Sequence, residues 1–244
     1  MNTLIGCLSL RVSFIVLMLS RLRSSFSSPD QSSSTSHILA EDSSSSGPGG
    51  ISLNSRRAKL SLILRNRQVD TSALREIVWG GCPAGEPGLR SLSWKILLGY
   101  LPTRSERQPE FLSRKRREYI SLRDEFVHVF SADLSSVEDS TASTLRQIRL
   151  DIPRTYTGPE FASIIDDSRL RALLERVLFL FAHRTVACGY VQGHNDLAIP
   201  LLAVLITSAT GEEESGINAH TLSNEDLTSI ECDLYFMFNR LLQV

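Results

Sequence analysis

Cysteine is scarce and scattered. The four cysteines of this 244-residue chain stand at 7, 82, 188 and 232, and none forms a Cys-x-x-Cys pair. The five histidines (37, 128, 183, 194 and 220) offer no zinc spacing either, which excludes a zinc module and leaves reduced, partly buried thiols as the reading, as in a cytosolic protein. A surplus of one charge is also missing. Twenty-six basic residues face 27 acidic ones, a formal net charge of −1, so nothing draws the whole chain toward nucleic acid or an anionic membrane. There is no Gly-x-Ser-x-Gly, no phosphate-loop lysine and no glycine-rich dinucleotide turn, so the chain has no phosphate loop of its own for a nucleotide. Long hydrophobic runs are absent as well. The apolar run Val12–Leu19 has eight residues, against about 20 needed to span a bilayer as a helix. Arg11 precedes it, Arg21 and Arg23 follow it, residues 2–6 carry no basic side chain, and no A-x-A site follows. An unstructured extension or an over-early start is expected there, rather than a signal peptide or anchor.

What is present divides the chain in two. Residues 24–46 hold twelve serines and few apolar residues, and Ser-Ser-Ser-Ser-Gly-Pro-Gly-Gly closes the segment. Such a composition cannot bury enough apolar surface to offset ordering entropy, so residues 1–52 are expected to be a disordered extension. Within it, Arg23, Ser27 and Pro29 have the spacing of a phosphoserine docking site. From residue 53 onward the pattern is helical. Asp70 and Ser72 are cap candidates before Leu74, Ile77 and Val78, with Gly80-Gly81 as the stop. A helix through Trp94 runs to Gly99, and one long stretch covers Pro109 to Phe130. Leu170, Leu173, Leu174, Val177, Leu178 and Phe181 fall at i, i+3, i+4, i+7, i+8 and i+11, the clearest amphipathic stripe in the chain. Pro200 is expected near a first turn or at a kink. A last stripe runs through Ile230, Leu234, Met237, Phe238, Leu241 and Leu242. Period-two alternation is missing, so the fold class is all-α. The last stripe ends without a stop signal. The expectation is a domain over 53–244 that is incomplete at its C-terminus, with this stripe exposed for want of a partner helix.

Three segments could carry chemistry. Ser113–Tyr119 is the densest basic run, but Glu106, Glu110 and Glu118 dilute it and aromatic interleaving is thin, so it reads as a solvated helix face and not a nucleic-acid site. In "DIPRT", Pro153 precedes Arg154 and follows Asp151 at a distance of two. The proline lacks an N–H and disfavours helix at Ile152, so Arg154 is placed at a loop or a fresh helix start. It is there either to pair with Asp151 or to project outward. In "ACGYVQGHND", Gly189 and Gly193 bracket Tyr190 and Gln192. Glycines permit a tight backbone, and a glutamine with both donor and acceptor can orient a water or be an ordinary loop residue.

Taken together, Ile148-x-x-Asp151-x-x-Arg154, Tyr190-x-Gln192 and, upstream, Arg90-x-x-x-Trp94 resemble the three signature motifs of the TBC domain, the GTPase-activating module for Rab GTPases. The flanking text is similar to the TBC domain family member 22 subgroup, and the resemblance covers residues 55–244. It implies an activator that is not itself an enzyme. Arg154 would be an arginine finger and Gln192 a glutamine finger, both supplied in trans. Asp151 and Tyr190 would support the finger loops, and Ile148, Arg90 and Trp94 would be structural. It implies no cofactor of the chain's own, because GTP and magnesium belong to a Rab in its GTP form. It further implies a cytoplasmic protein in vesicle trafficking, peripheral to Golgi or endosomal membranes through Rab. The family usually has an apolar residue where His194 stands. The alternatives are a catalytically silent Rab-binding or scaffold protein and a membrane-anchored adaptor.

Overall fold

The computed structural model describes residues 53–83, 86, 88–131, 138–155, 162–185, 189–211 and 219–242. The apolar run at 12–19, the serine-rich extension and its phosphoserine candidate lie outside the described residues. Those described are helical throughout, joined by short turns, with one isolated bridge between Gln68 and Arg104. In chain order the helices are α1 (Leu53–Arg65), α2 (Thr71–Trp79), α3 (Leu89–Leu97), α4 (Gln108–Glu125), α5 (Val127–Ser131), α6 (Asp139–Asp151), α7 (Ala162–Asp166), α8 (Ser168–Arg184), α9 (His194–Thr210) and α10 (Asn224–Leu242). Among the described residues no helix is long and apolar enough to cross a membrane.

Local chemistry sets most boundaries. The Asp70 carboxylate accepts from the Ser72 and Ala73 N–H groups at 2.8 and 3.2 Å, satisfying donors that the start of α2 would otherwise leave open. Asp167 does the same for α8, accepting from Arg169 and Leu170. Pro109 sits in the first turn of α4, where its missing N–H costs nothing. The stretch from Pro109 to Phe130 is not one helix. Phe126 (φ −111°, ψ 7°) breaks it, and its ring lies edge-on to Phe179 and His183 at 5.7 and 4.5 Å. That packing holds Phe126 outside helical geometry.

A small apolar cluster of Leu60, Leu64, Val69, Leu74, Val78, Ile96 and Leu101 joins α1, α2 and α3. The main core is built around α8, α9 and α10. Every residue from Val177 to Ala182 on α8 is buried, as is every residue from Ala198 to Thr207 on α9. Burial of a large aliphatic or aromatic side chain stabilises by about 1.5–3 kcal/mol, so these two helices carry much of the fold. Pro200 is buried in the second turn of α9, not its first, because the helix begins at His194.

The stripe on α10 is not exposed. Ile230, Leu234, Met237, Phe238 and Leu241 are all buried, and α10 packs against α9, α8 and α4. Two carboxylates enter the core with it. Glu231 accepts from Arg176 Nε and Nη2, both at 2.7 Å, and from the Tyr119 hydroxyl at 2.7 Å. Asp233 accepts from Lys95 Nζ at 2.6 Å and the Tyr100 hydroxyl at 2.8 Å. Of the cysteines, Cys82 and Cys232 are described, and neither is in a disulfide. Burial pushes the Cys232 thiol up to about 12, leaving it an unreactive neutral group.

Candidate functional site

α6 is the platform for Arg154. Ala142, Leu145 and Ile148 turn one face of it into the core, where it packs on α8. The helix does not stop at the proline. Ile152 is itself helical (φ −54°, ψ −50°), and its N–H bonds to the Ile148 carbonyl. A 3-10 turn, Ile152–Arg154, follows without a gap. The expectation that Pro153 drives Ile152 out of helix is therefore overturned. Pre-proline geometry disfavours helix but does not forbid it. Ile152 is buried in the core, and Pro153 opens the new turn where its missing N–H leaves no ladder bond unmade. Thr155 closes the turn, its N–H donating to the Ile152 carbonyl at 3.2 Å and its hydroxyl to the Asp151 carbonyl at 3.2 Å.

Arg154 is exposed at the end of this rod and makes no ion pair among the described residues. The Asp151–Arg154 pairing is thus absent. Asp151, only 4% exposed, faces the other way. Its Oδ1 accepts from Gln147 Nε2 at 2.9 Å, and its Oδ2 accepts from the Tyr190 hydroxyl at 3.1 Å.

That last bond crosses to the second loop. Gly189 (φ 61°) and Gly193 (φ 102°) both adopt left-handed backbone, a region other residues enter only at a cost. They fold residues 189–193 into a tight turn ending at Gly193, the cap of α9. Val191 and Gln192 are exposed at its tip, and Tyr190 is half-buried at its base. Burial, and then the Asp151 charge, push the Tyr190 phenol up, so it stays protonated and donates. Leu150 and Val191, neighbours of the two bonded residues, are among the most exposed large apolar side chains at 52% and 50%.

The first turn of α9 completes the site. Asn195, 4% exposed, donates from Nδ2 to Thr155 Oγ1 at 2.7 Å and accepts at Oδ1 from Gly193 N–H at 3.1 Å. His194 is buried among the rings of Phe181, Tyr190 and Phe238 at 5.4–5.8 Å. Its Nδ1 accepts from the Val191 N–H at 3.3 Å, so the imidazole is neutral with its proton on Nε2. Burial lowers its pKa below 6.5. The unfolded chain therefore takes up a proton near pH 6.5 that the folded one refuses, and stability present above that pH is lost as pH falls through it. Urea midpoints at pH 7.5, 6.5 and 5.5 are expected to fall more steeply for the native chain than for His194→Leu. Equal slopes would remove His194 from the account.

The remaining sequence candidates lie deeper. Arg90 and Trp94 are buried on α3, and Ile148 is fully buried on α6. Three polar residues of the site, Gln147, Thr155 and Asn195, were not anticipated. Reading Gly193 as a helix cap, with the apolar run from Leu197 behind it, would have placed Asn195 in a first turn facing the loop.

The profile of the RabGAP-TBC family (Rab-GTPase-TBC domain) matches residues 87–243, which include both loops. This chain belongs to that family. Among relatives of the TBC domain, TBC1 domain family member 22B of Homo sapiens is 32% identical over 205 residues, covering 84% of this chain and 38% of the relative. TBC1 domain family member 22A of Mus musculus is 36% identical over 189 residues, covering 77% and 34%. GTPase-activating protein GYP1 of Saccharomyces cerevisiae is 34% identical over 198 residues, covering 79% and 29%. The crystal structure of the Ypt/Rab-GAP domain of Gyp1p superposes with a TM-score of 0.67 at 32% identity, over 79% of this chain and 58% of that one. This TBC chain therefore spans 29–38% of the length of these three curated relatives, and shares the all-helical fold of the Gyp1p domain.

Proposed function

We propose that this TBC chain is a GTPase-activating protein for Rab-class small GTPases in their GTP form, inserting Arg154 and Gln192 into the GTPase site. The supporting observation is geometric. Two exposed side chains of the required chemistry stand on two loops that share one hydrogen-bonded base at Asp151 and Tyr190. GTP and magnesium come with the Rab. Arg154 stabilises negative charge that develops on the transferring phosphoryl group, and Gln192 accepts from and donates to the attacking water, holding it in line. Exposed Leu150 and Val191 flank this pair as apolar contact area. Membrane attachment on trafficking vesicles then comes through the Rab.

The test is single-turnover GTP hydrolysis by a panel of purified Rabs with and without the full chain. At least one Rab is expected to be accelerated. Gln192→Ala is expected to lower that acceleration by about 10²-fold, the loss typical when one preorganised polar group is removed from a reacting centre. A chain that binds GTP-loaded Rab yet leaves every hydrolysis rate unchanged would overturn this reading.

A further inference from the structure

One side chain touches both loops at equivalent points. Asn195 bonds to Thr155, the residue after Arg154, and to Gly193, the residue after Gln192. The amide's orientation follows from its neighbours. Gly193 N–H can only donate, so Oδ1 faces it, which turns Nδ2 toward Thr155 Oγ1. The Thr155 hydroxyl hydrogen is already given to the Asp151 carbonyl, leaving its oxygen as the acceptor that Nδ2 needs. The Tyr190 hydroxyl lies 3.4 Å from the same Asn195 Oδ1 and 3.1 Å from Asp151 Oδ2. The Tyr190 hydroxyl has one hydrogen, which goes to the nearer Asp151 Oδ2, so its approach to Asn195 Oδ1 is a contact and not a further bond. Two bonded routes therefore join the loops, one from Tyr190 to Asp151 and one from Gly193 through Asn195 to Thr155.

We infer that Asn195, acting with Thr155, is a positioning residue that couples the two loops, so that Arg154 and Gln192 are held as one unit. The inference rests on the activator reading for its catalytic consequence, but the coupling itself is a property of this chain alone. Neither residue contacts the reacting atoms. Their effect passes through the backbone of residue 154 on one side and residue 192 on the other. The Asp151–Tyr190 bond alone would be a single hinge. Asn195 supplies a second link some residues along each loop, which removes rotation about the first. Buried side chains with every polar atom engaged fix geometry more firmly than exposed ones, because water offers them no competing bond.

Thr155→Val keeps the shape and removes the hydroxyl, whereas Thr155→Ser keeps the hydroxyl. The first measurement is hydrogen–deuterium exchange on the full chain, with no Rab present. Thr155→Val is expected to speed exchange in residues 189–193, on the opposite loop, by about fivefold or more, the effect of one hydrogen bond on local opening. Thr155→Ser should leave that segment unchanged. Exchange that rises in Thr155→Val only around residues 152–155 would overturn the coupling. So would a segment 189–193 that stays as protected in Asn195→Ala as in the native chain.

The second measurement is kinetic. Both Thr155→Val and Asn195→Ala are expected to lower kcat for Rab-bound GTP hydrolysis by about 10- to 100-fold, the effect of an ångström-scale misplacement, with KM nearly unchanged. In a Gln192→Ala background, Asn195→Ala should cost much less than it does alone. Full additivity would count against the inference. A native chain that accelerates no Rab would end the activator reading, while the exchange data would still decide the coupling.

Discussion

Arg154→Lys is expected to remove nearly all of the activation, and Arg154→Ala no less. An arginine supplied in trans to a small GTPase contributes about 10³–10⁵ in rate, or about 4–7 kcal/mol of barrier. Lysine keeps the charge but not the planar fork that meets two phosphate oxygens at once, so charge alone should recover little. The structure makes the prediction clean. Arg154 is exposed and forms no ion pair among the described residues, so replacing it breaks no ion pair among them and the fold should be intact. Single-turnover hydrolysis on a responsive Rab, with thermal unfolding as the control, checks both halves. Rates within threefold of the native chain for both variants would sink the assignment of Arg154.

Glu231→Ala should do the reverse, unfolding the chain readily without touching the site chemistry. Glu231 is 2% exposed in the middle of α10. It holds a bidentate pair with Arg176 on α8 and the Tyr119 hydroxyl on α4. Burial first, and then the Glu231 charge, push the Tyr119 phenol well up, so that hydroxyl needs an acceptor. Truncating the carboxylate leaves Arg176 and Tyr119 facing a cavity with no partner. Breaking a buried pair from one side costs about 3–5 kcal/mol, a large share of the roughly 5–15 kcal/mol that holds a domain together. The melting temperature by circular dichroism should fall by about 10 °C for a chain of this size. A fall of one or two degrees would show that water reaches the site.

The helices with one apolar face were legible in the sequence. The Leu170–Phe181 stripe and the Asp70 cap are local signals, and the structure places both as read. What escaped was whatever depends on contact at long range. Phe179 and Leu180 fall off the stripe yet are buried, because α8 is enclosed on several sides and a single-face pattern describes only one of them. α6 carries Ser, Thr and Gln between its apolar positions and shows no strong stripe, so its run into Arg154 was invisible. Without that helix, the proline looked like a break. The Asp151–Tyr190 bond spans 39 positions and the Thr155–Asn195 bond spans 40; no local pattern encodes either. Arg154 and Gln192 could be singled out as candidates from their motifs, but the bonds beneath them could not.

The unbroken passage from α6 through Ile152 to Arg154 bears on the thermodynamics of association. Fixing one residue's backbone costs about 1–2 kcal/mol in conformational entropy. A finger on a loose loop would incur that cost for several residues at the moment of docking. Here residues 152–154 are already set when the chain folds, by the helix behind them and the proline ring within them. On the proposed activator reading, this finger would have only the χ angles of Arg154 left to order on docking, about 2 kcal/mol. More of the contact energy with the partner would then act on the transition state, and encounters would not wait for this finger to form.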